Sequence, residues 1–244
     1  MNRALAAGAS GMAAQQNVLD IIAANLSNVD TPGFRADRPE FASLIGPDGR
    51  GMGALSQRSA RLFSQGKLDP TSNDFDLAID GEGLFEVRTA SGAVAYTRAG
   101  NFTRDTAGAL RLPNNAALAH VRLPAGTLAV TFDQDGRIHA RVAGKPAPVD
   151  AGRVRLCSFA NLSGLRLEDD GLFYASRDTG PVLRGAPDSG GFGKLRQRCL
   201  ERANVNVVNA MMSVLAAQRA YEANAKSVQA ADEMLRLANN LERG

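Results

Sequence analysis

The end of the chain is free of helix-breaking residues. Among 244 residues there are 25 glycines and 10 prolines, yet every proline lies before Ala203 and residues 204–243 contain neither type. With a rise of 1.5 Å per residue, a helix over about 40 residues would extend roughly 60 Å. That is several times the mean helix length in globular proteins. The sequence therefore predicts one long C-terminal helix.

Both ends of the chain also carry apolar residues at every seventh position, a pattern typical of coiled coils. The N-terminal series, within a helix predicted over residues 2–29, is Leu5, Met12, Leu19 and Leu26, with Ile22 and Val29 between them. The C-terminal series is Val207, Val214, Tyr221, Val228 and Leu235, with Met211 between them. We predict that these residues form an assembly interface.

The start of the second helix has a wider apolar face than a pair of helices needs. Met212 and Leu215 lie beside Met211 and broaden the series there. A wide apolar face on a long helix indicates additional neighbours, and further copies of the same chain are the simplest source. Self-assembly is therefore favoured over the alternative, a monomeric pair of helices that pack only on each other.

The middle of the chain is predicted to consist of short strands and turns. Pro32 and Gly33 end the first helix, and residues 35–66 hold five glycines and two prolines, which predicts an irregular connector. Hairpin turns are expected at Ser91-Gly92 and Asp135-Gly136. The predicted strands are 75–79, 84–88, 94–98, 109–112, 128–132, 137–142, 154–159 and 172–175.

These elements together predict an α+β fold. The long N- and C-terminal α-helices would form a coiled-coil-like helical domain, with a central, mostly antiparallel β domain. The predicted divisions are the N-terminal helix (1–34), the connector (35–66), the outer β domain (67–193) and the C-terminal helix (194–244).

No group of residues in the sequence suggests catalysis or metal binding. The two histidines, His120 and His139, have no His, Cys or Glu four residues later. Gly81-Glu82-Gly83 lacks the third glycine of a dinucleotide motif, and Cys157 and Cys199 are too few for a disulfide framework. We therefore expect no cofactor, no metal and no enzymatic activity, although a site formed only in three dimensions would not show in this way.

Charge and hydropathy exclude further classes of protein. The net charge of +3 is spread along the chain, so binding to nucleic acid is not expected. No apolar run is long enough to span a membrane. The first residues resemble a signal peptide only faintly, and they continue in helical register, so they are predicted to belong to the mature protein.

Several stretches resemble the bacterial flagellar rod and hook protein family. Residues 23–34 are similar to its N-terminal signature and residues 200–208 to its distal-rod C-terminal pattern. Similar stretches at 10–16, 65–71, 75–87, 96–102 and 218–222 extend the resemblance over nearly the whole chain, in order. The motif residues within the two terminal stretches are Asn25, Asn28, Pro32, Gly33, Phe34, Asn204 and Asn206.

The resemblance implies a structural subunit of the basal-body rod, of the distal type. Such subunits polymerise through their terminal helices into a helical tube around an export channel, with the β domain facing outward. The implied partners are copies of the same chain, adjacent rod and hook proteins, the surrounding ring proteins and the type III export apparatus. The implied location is the periplasmic basal body, reached without a cleaved signal peptide.

Two alternatives stay open from the sequence. The stretch 42–64 is short compared with the distal-rod pattern, so a proximal-rod or hook paralogue is the first. The second, from another class, is a soluble binding module whose β domain is carried on a helical stalk. Asn25 and Asn28 are expected to end the first helix through hydrogen bonds to backbone groups.

Overall fold

The computed structural model describes residues 3–45, 51–168 and 170–241. The side chains of 3–4, 41–45, 51–58, 235 and 238–241 lie outside this description. The chain divides into two compact units. Unit 1 comprises Met1–Val29, Ala36–Leu62 and Val205–Gly244, and unit 2 comprises Asp30–Arg35 and Phe63–Asn204.

Unit 1 contains the two α-helices found among the described residues, α1 (Arg3–Ser27) and α2 (Val207–Leu241). The helices pack side by side at small residues. A Cβ placed on Gly8 would lie 2.5 Å from Val228 Cγ2, and one on Gly11 would lie 2.7 Å from Asn224 Nδ2. At Gly8 the Val228 side chain therefore occupies the space that a Cβ would need, whereas at Gly11 the neighbour is the flexible end of the Asn224 side chain. Neither helix is both long and apolar enough to cross a membrane.

Further along α1 the contact with α2 becomes a small apolar cluster. Val18, Ile22 and Ala217 are buried there, and Leu19, Ala210 and Val214 pack against them. Residues late in α1 thus meet residues early in α2, so the two helices are antiparallel. The buried positions on α1 are four residues apart, at Ala14, Val18 and Ile22.

Unit 1 also contains an antiparallel hairpin of β1 (Asp37–Ile45) and β2 (Gly51–Arg61). Asp37 pairs with Arg61, and Arg61 Nη2 donates to Asp37 Oδ2 at 2.9 Å. The prediction of an irregular connector over 35–66 is therefore wrong. Proline is tolerated in this hairpin because both strands of its two-stranded sheet are edge strands, where a missing N–H donor costs little.

The predicted fold class is wrong in its helical domain. The structure has one helix at each end and a large, mostly β region between them, not a coiled-coil-like domain. Gly8 lies on the same every-seventh series as Ile22 and Val29, yet it contacts α2 as a small residue, because close packing follows small residues as well as large apolar ones. The hairpin β1–β2 shares unit 1 with the helices.

The C-terminal helix also starts later than predicted. Residues 194–206 were expected within the helical segment, but Lys194–Gln197 and Cys199–Glu201 are strands that pair with Leu77–Asp80 and Leu68–Pro70. These partners are distant in sequence, so local pattern gives no sign of the pairing.

Unit 2 is built from short antiparallel strands. The strands are β3 (Leu68–Pro70), β4 (Leu77–Asp80), β5 (Leu84–Arg88), β6 (Val94–Thr97), β7 (Thr103–Arg104), β8 (Leu110–Arg111), β9 (Ala117–Leu118), β10 (Thr127–Phe132), β11 (Arg137–Val142), β12 (Val149–Arg153), β13 (Leu156–Phe159), β14 (Arg166–Leu167), β15 (Phe173–Tyr174), β16 (Val182–Gly185), β17 (Lys194–Gln197) and β18 (Cys199–Glu201). The largest sheet has the order β14-β15-β6-β5-β9-β8-β7, with β13 joining β5 to β16, and β10-β11-β12 form a second sheet.

The core of unit 2 is continuous and well packed. Phe85 and Phe102 are both fully buried, and their rings meet edge to face with centroids 5.6 Å apart. Leu77, Ile138 and Leu156 belong to the same cluster. This core draws residues from both sheets, which makes unit 2 a compact body in its own right.

Candidate functional site

Helix α2 is apolar on two opposite sides. One side, which includes Val214 and Ala217, packs on α1. At 100° per residue the other side lies about half a turn away. We call it the exposed stripe; its residues and their exposed fractions are Val208 (67%), Met211 (55%), Met212 (63%) and Leu215 (56%).

The exposed stripe has the properties of an interface. It covers the first two to three turns of α2, and the same side then becomes polar at Arg219, Glu222 and Lys226. Single exposed apolar residues are common on protein surfaces, but a contiguous apolar patch with a polar border marks an interaction site. The stripe is therefore a candidate surface for self-association, and Met234 and Leu237 add two exposed apolar side chains further along α2.

The structure divides the predicted interface residues among several environments. On α1, Ile22 is buried and Leu5, Met12, Leu19 and Leu26 are partly buried, as is Val29 just after the helix. On α2, Val207, Val214 and Val228 are partly buried, whereas Met211 and Tyr221 are exposed. The side chain of Leu235 lies outside the described residues. The predicted series thus runs partly along the edge of the helix pair and partly into the exposed stripe.

The motif asparagines have separate structural roles. Asn28 Nδ2 donates to Ala24 O at 2.9 Å in the last turn of α1. Asn25 instead bonds the hairpin: its Nδ2 donates to Asp37 O at 2.7 Å and its Oδ1 accepts from Asp37 N at 2.9 Å. Asn206 Oδ1 accepts from Asn209 N at 3.0 Å, which satisfies a free donor at the start of α2.

In unit 2, the remaining motif residues join three chain segments, 30–35, 63–66 and 201–204, which we call the collar. Gly33 N donates to Glu201 O at 2.7 Å, and Asn204 Nδ2 donates to Ser64 O at 3.0 Å. Gly33 has φ +71°, and a Cβ there would collide with the backbone of Arg98. The Pro32-Gly33-Phe34 turn therefore requires glycine at its centre.

A buried carboxylate lies at the centre of the collar. Glu201 is 1% exposed; its Oε1 accepts from Arg35 Nη1 at 2.7 Å and from Gly66 N at 2.8 Å. Its Oε2 lies 3.1 Å from Arg98 Nε. Burial lowers the pKa of Arg98 to about 10, and the negative charge of Glu201 opposes that shift. One carboxylate thus holds two buried guanidinium groups.

The collar spans long sequence distances. Arg35 and Glu201 are 166 residues apart. No local sequence pattern predicts that Arg35, Arg98 and Glu201 form a cluster. Their charge does not predict that they are buried, because arginine and glutamate are nearly always exposed unless they are paired. The only available signal was that Arg98 and Glu201 lie within stretches that resemble the rod and hook family.

Comparison with known proteins decides the family. The flagellar basal-body rod protein FlgG of Borreliella burgdorferi is 36% identical, and the alignment covers 100% of both chains. FlgG of Agrobacterium fabrum is 34% identical over 95% of this chain and 96% of its own.

The chain belongs to the flagellar basal-body rod protein family.

Three family models match successive parts of this rod-family chain. They are "Flagella basal body rod protein" at residues 5–35, "Flagellar hook protein FlgE/F/G D1 domain" at 78–140 and "Flagellar basal body rod FlgEFG protein C-terminal" at 196–241. The basal-body rod protein FlgF of Escherichia coli is also similar, at 32% identity over 96% of each chain. The two terminal models cover α1, most of the collar and α2.

Proposed function

We propose that this structural subunit of the flagellar rod polymerises through its terminal helices, with the exposed stripe of α2 covered by a helix of a neighbouring copy. The observation that supports this is the second apolar side of α2, opposite the side that packs on α1. Two different surfaces in contact make a heterologous interface, and such an interface extends into a helical polymer when it does not close.

The size of the stripe is adequate for this role. Fully burying a valine, leucine or methionine side chain is worth about 1.5–3 kcal/mol. Because the four side chains are 55–67% exposed, covering them would contribute about 4–7 kcal/mol on this scale, which reaches the lower part of the cost of association, about 4–15 kcal/mol. The partly buried residues at the edge of the helix pair, Leu5, Met12 and Leu19 among them, would add to the same contact.

We place the subunit in the distal rod. The support is that the relatives of 36% and 34% identity both carry the name FlgG, while the FlgF relative makes a proximal position the alternative. The proposed partners are copies of this chain, adjacent rod and hook proteins, the ring proteins around them and the type III export apparatus. We propose no catalytic activity, in line with structural relatives.

The exposed stripe is tested by Met212→Asp in cells that lack their own copy of the protein. Because Met212 is 63% exposed, the change should leave the subunit folded and remove assembly. The matched control is Leu128→Asp, which places the same charge at a leucine 70% exposed on β10 of unit 2. We expect few or no rods with the first variant and normal rods with the second. Normal rods with Met212→Asp would overturn the proposal.

A further inference from the structure

Unit 2 has a basic cavity that rod assembly does not explain. Its volume is about 470 Å³. Four basic side chains line it, His120, Arg153, Arg155 and Arg184, together with Gly152, Gly185 and Ala186. No acidic residue is among the lining residues. We call this cavity the basic pocket.

One side of the basic pocket is fixed by a buried glutamate. Arg184 Nε donates to Glu86 Oε2 at 2.7 Å, and Cys157 Sγ donates to the same oxygen at 3.2 Å. Burial, the largest influence, raises the pKa of Glu86, but these hydrogen bonds and the charge of Arg184 outweigh it and the pKa lies below the usual value. Glu86 therefore stays ionised and holds the Arg184 guanidinium at the pocket.

Of the other two arginines, Arg153 pairs with a carboxylate and Arg155 leaves uncompensated positive charge. Arg153 is already engaged, since its Nε and Nη2 donate to Asp135 at 2.9 and 2.6 Å. Arg155 is exposed, and within the described part of the chain no ion pair or side-chain hydrogen bond of its guanidinium is found. The pocket therefore has three guanidinium groups, and Glu86 and Asp135 are the only carboxylates that pair with them among the described residues.

The backbone at the edge of the pocket is unusual. His120 has φ +62°, a left-handed conformation, and Ala119 N beside it donates to Glu86 O at 2.9 Å. His120 Nε2 lies 3.6 Å from Glu86 Oε1, too far for a hydrogen bond. His120 lies in a turn, and histidine adopts this conformation more often than most non-glycine residues. The turn places the imidazole at the edge of the pocket.

We propose that the basic pocket binds an oxyanion, a phosphate or carboxylate group, held between the guanidinium groups of Arg155 and Arg184. Arginine presents paired N–H donors that match two oxygens of such a group. A concave site lined by one sign of charge also concentrates ions of the opposite sign. The ligand is either a free phosphate or a carboxylate side chain of an acidic peptide.

The test is calorimetric titration of the full chain with inorganic phosphate and, separately, with a tri-glutamate peptide. We expect saturable binding of at least one, and the tighter of the two identifies the source of the group. Arg155→Gln should weaken that binding by about tenfold or more, because an arginine fork to an anion is among the stronger hydrogen-bonded contacts. Arg155→Lys keeps the charge but loses the paired N–H donors, so its affinity should lie between those of the parent and Arg155→Gln.

The matched control is Arg141→Gln, which removes an exposed arginine of β11 that does not line the pocket. It should change the affinity by less than about twofold, since screening weakens distant surface charges. The proposal is overturned if neither anion binds, or if Arg141→Gln weakens binding as much as Arg155→Gln. Both variants change exposed side chains, and their unfolding midpoints confirm that the fold is intact.

Discussion

Unit 2 buries aromatic and branched aliphatic side chains such as Phe85, Phe102 and Leu156 in one continuous core. In the described part of unit 1, the buried cluster between the helices is only Val18, Ile22 and Ala217. Unit 1 also leaves the exposed stripe of α2 in solvent. Most helical stability in proteins comes from tertiary packing. Unit 2 has that packing within itself, whereas in the proposed rod unit 1 would gain it from neighbouring subunits.

The largest effect should come from the core of unit 2. Phe85→Ala removes a fully buried ring and leaves a cavity beside Phe102, so we expect a loss of about 3–5 kcal/mol in the free energy of unfolding. Urea unfolding measures this loss.

Ile22→Ala, in the small cluster of unit 1, should lower the helical circular dichroism signal while the unfolding transition of unit 2 stays in place. A loss of both units together in each variant would refute their independence.

The collar should show a similar but more specific effect. Glu201→Gln keeps the shape but leaves Arg35 and Arg98 buried without their shared carboxylate. Removing one partner of a buried ion pair costs about 3–5 kcal/mol. Glu222→Gln, at an exposed position of α2, is the control and should stay within about 0.5 kcal/mol. Thermal unfolding of both variants gives the comparison, and equal small shifts would contradict the role given to Glu201.

A smaller change tests whether α1 and α2 pack together in the isolated subunit. Gly8→Ala would put a methyl group 2.5 Å from Val228 Cγ2, and overpacking of this kind costs about 1–3 kcal/mol. If the helices were apart, the same change would raise helix stability by up to about 1 kcal/mol, because alanine favours helix over glycine. Circular dichroism with temperature decides the sign. Ala9→Gly, at an exposed position, should lower helicity in either case.

The smallest effect concerns the pH dependence of unit 2. The pKa of Glu86 is lowered from 4.5 in the fold, so its contribution to stability is present above that value and is lost as the pH falls through the folded pKa. Arg184→Gln removes its principal partner. We expect the variant to be less stable than the parent at neutral pH, with the difference shrinking as the pH falls below 4.5 and Glu86 becomes protonated. A difference that stays constant with pH would show that the ion pair is not its cause.

Local pattern predicted part of the fold well. The strands Leu84–Arg88 and Arg137–Val142 agree with the predictions residue for residue. A short, mostly apolar run marks the first and alternating apolar and polar residues mark the second, and both are local signals. Met212 and Leu215 likewise pointed to the exposed stripe. The hairpin β1–β2 was missed because its glycines and prolines resemble a connector.

Contacts between distant residues could not be predicted. The collar depends on Arg35 and Glu201, 166 residues apart, and the basic pocket joins His120 to Arg184 around Glu86. The packing of the helix pair was mispredicted for a related reason. The every-seventh series counts large apolar residues and treats Gly8 as a gap, whereas in the structure the Val228 side chain packs against Gly8.

Electron cryomicroscopy of the intact basal body, at a resolution that shows side chains, tests the central claim most directly. We predict that the exposed stripe, Val208, Met211, Met212 and Leu215, is covered in the rod by a helix of a neighbouring subunit, with the core of unit 2 unchanged. A rod in which the stripe faces solvent, and subunits meet only through unit 2, would contradict assembly through the terminal helices.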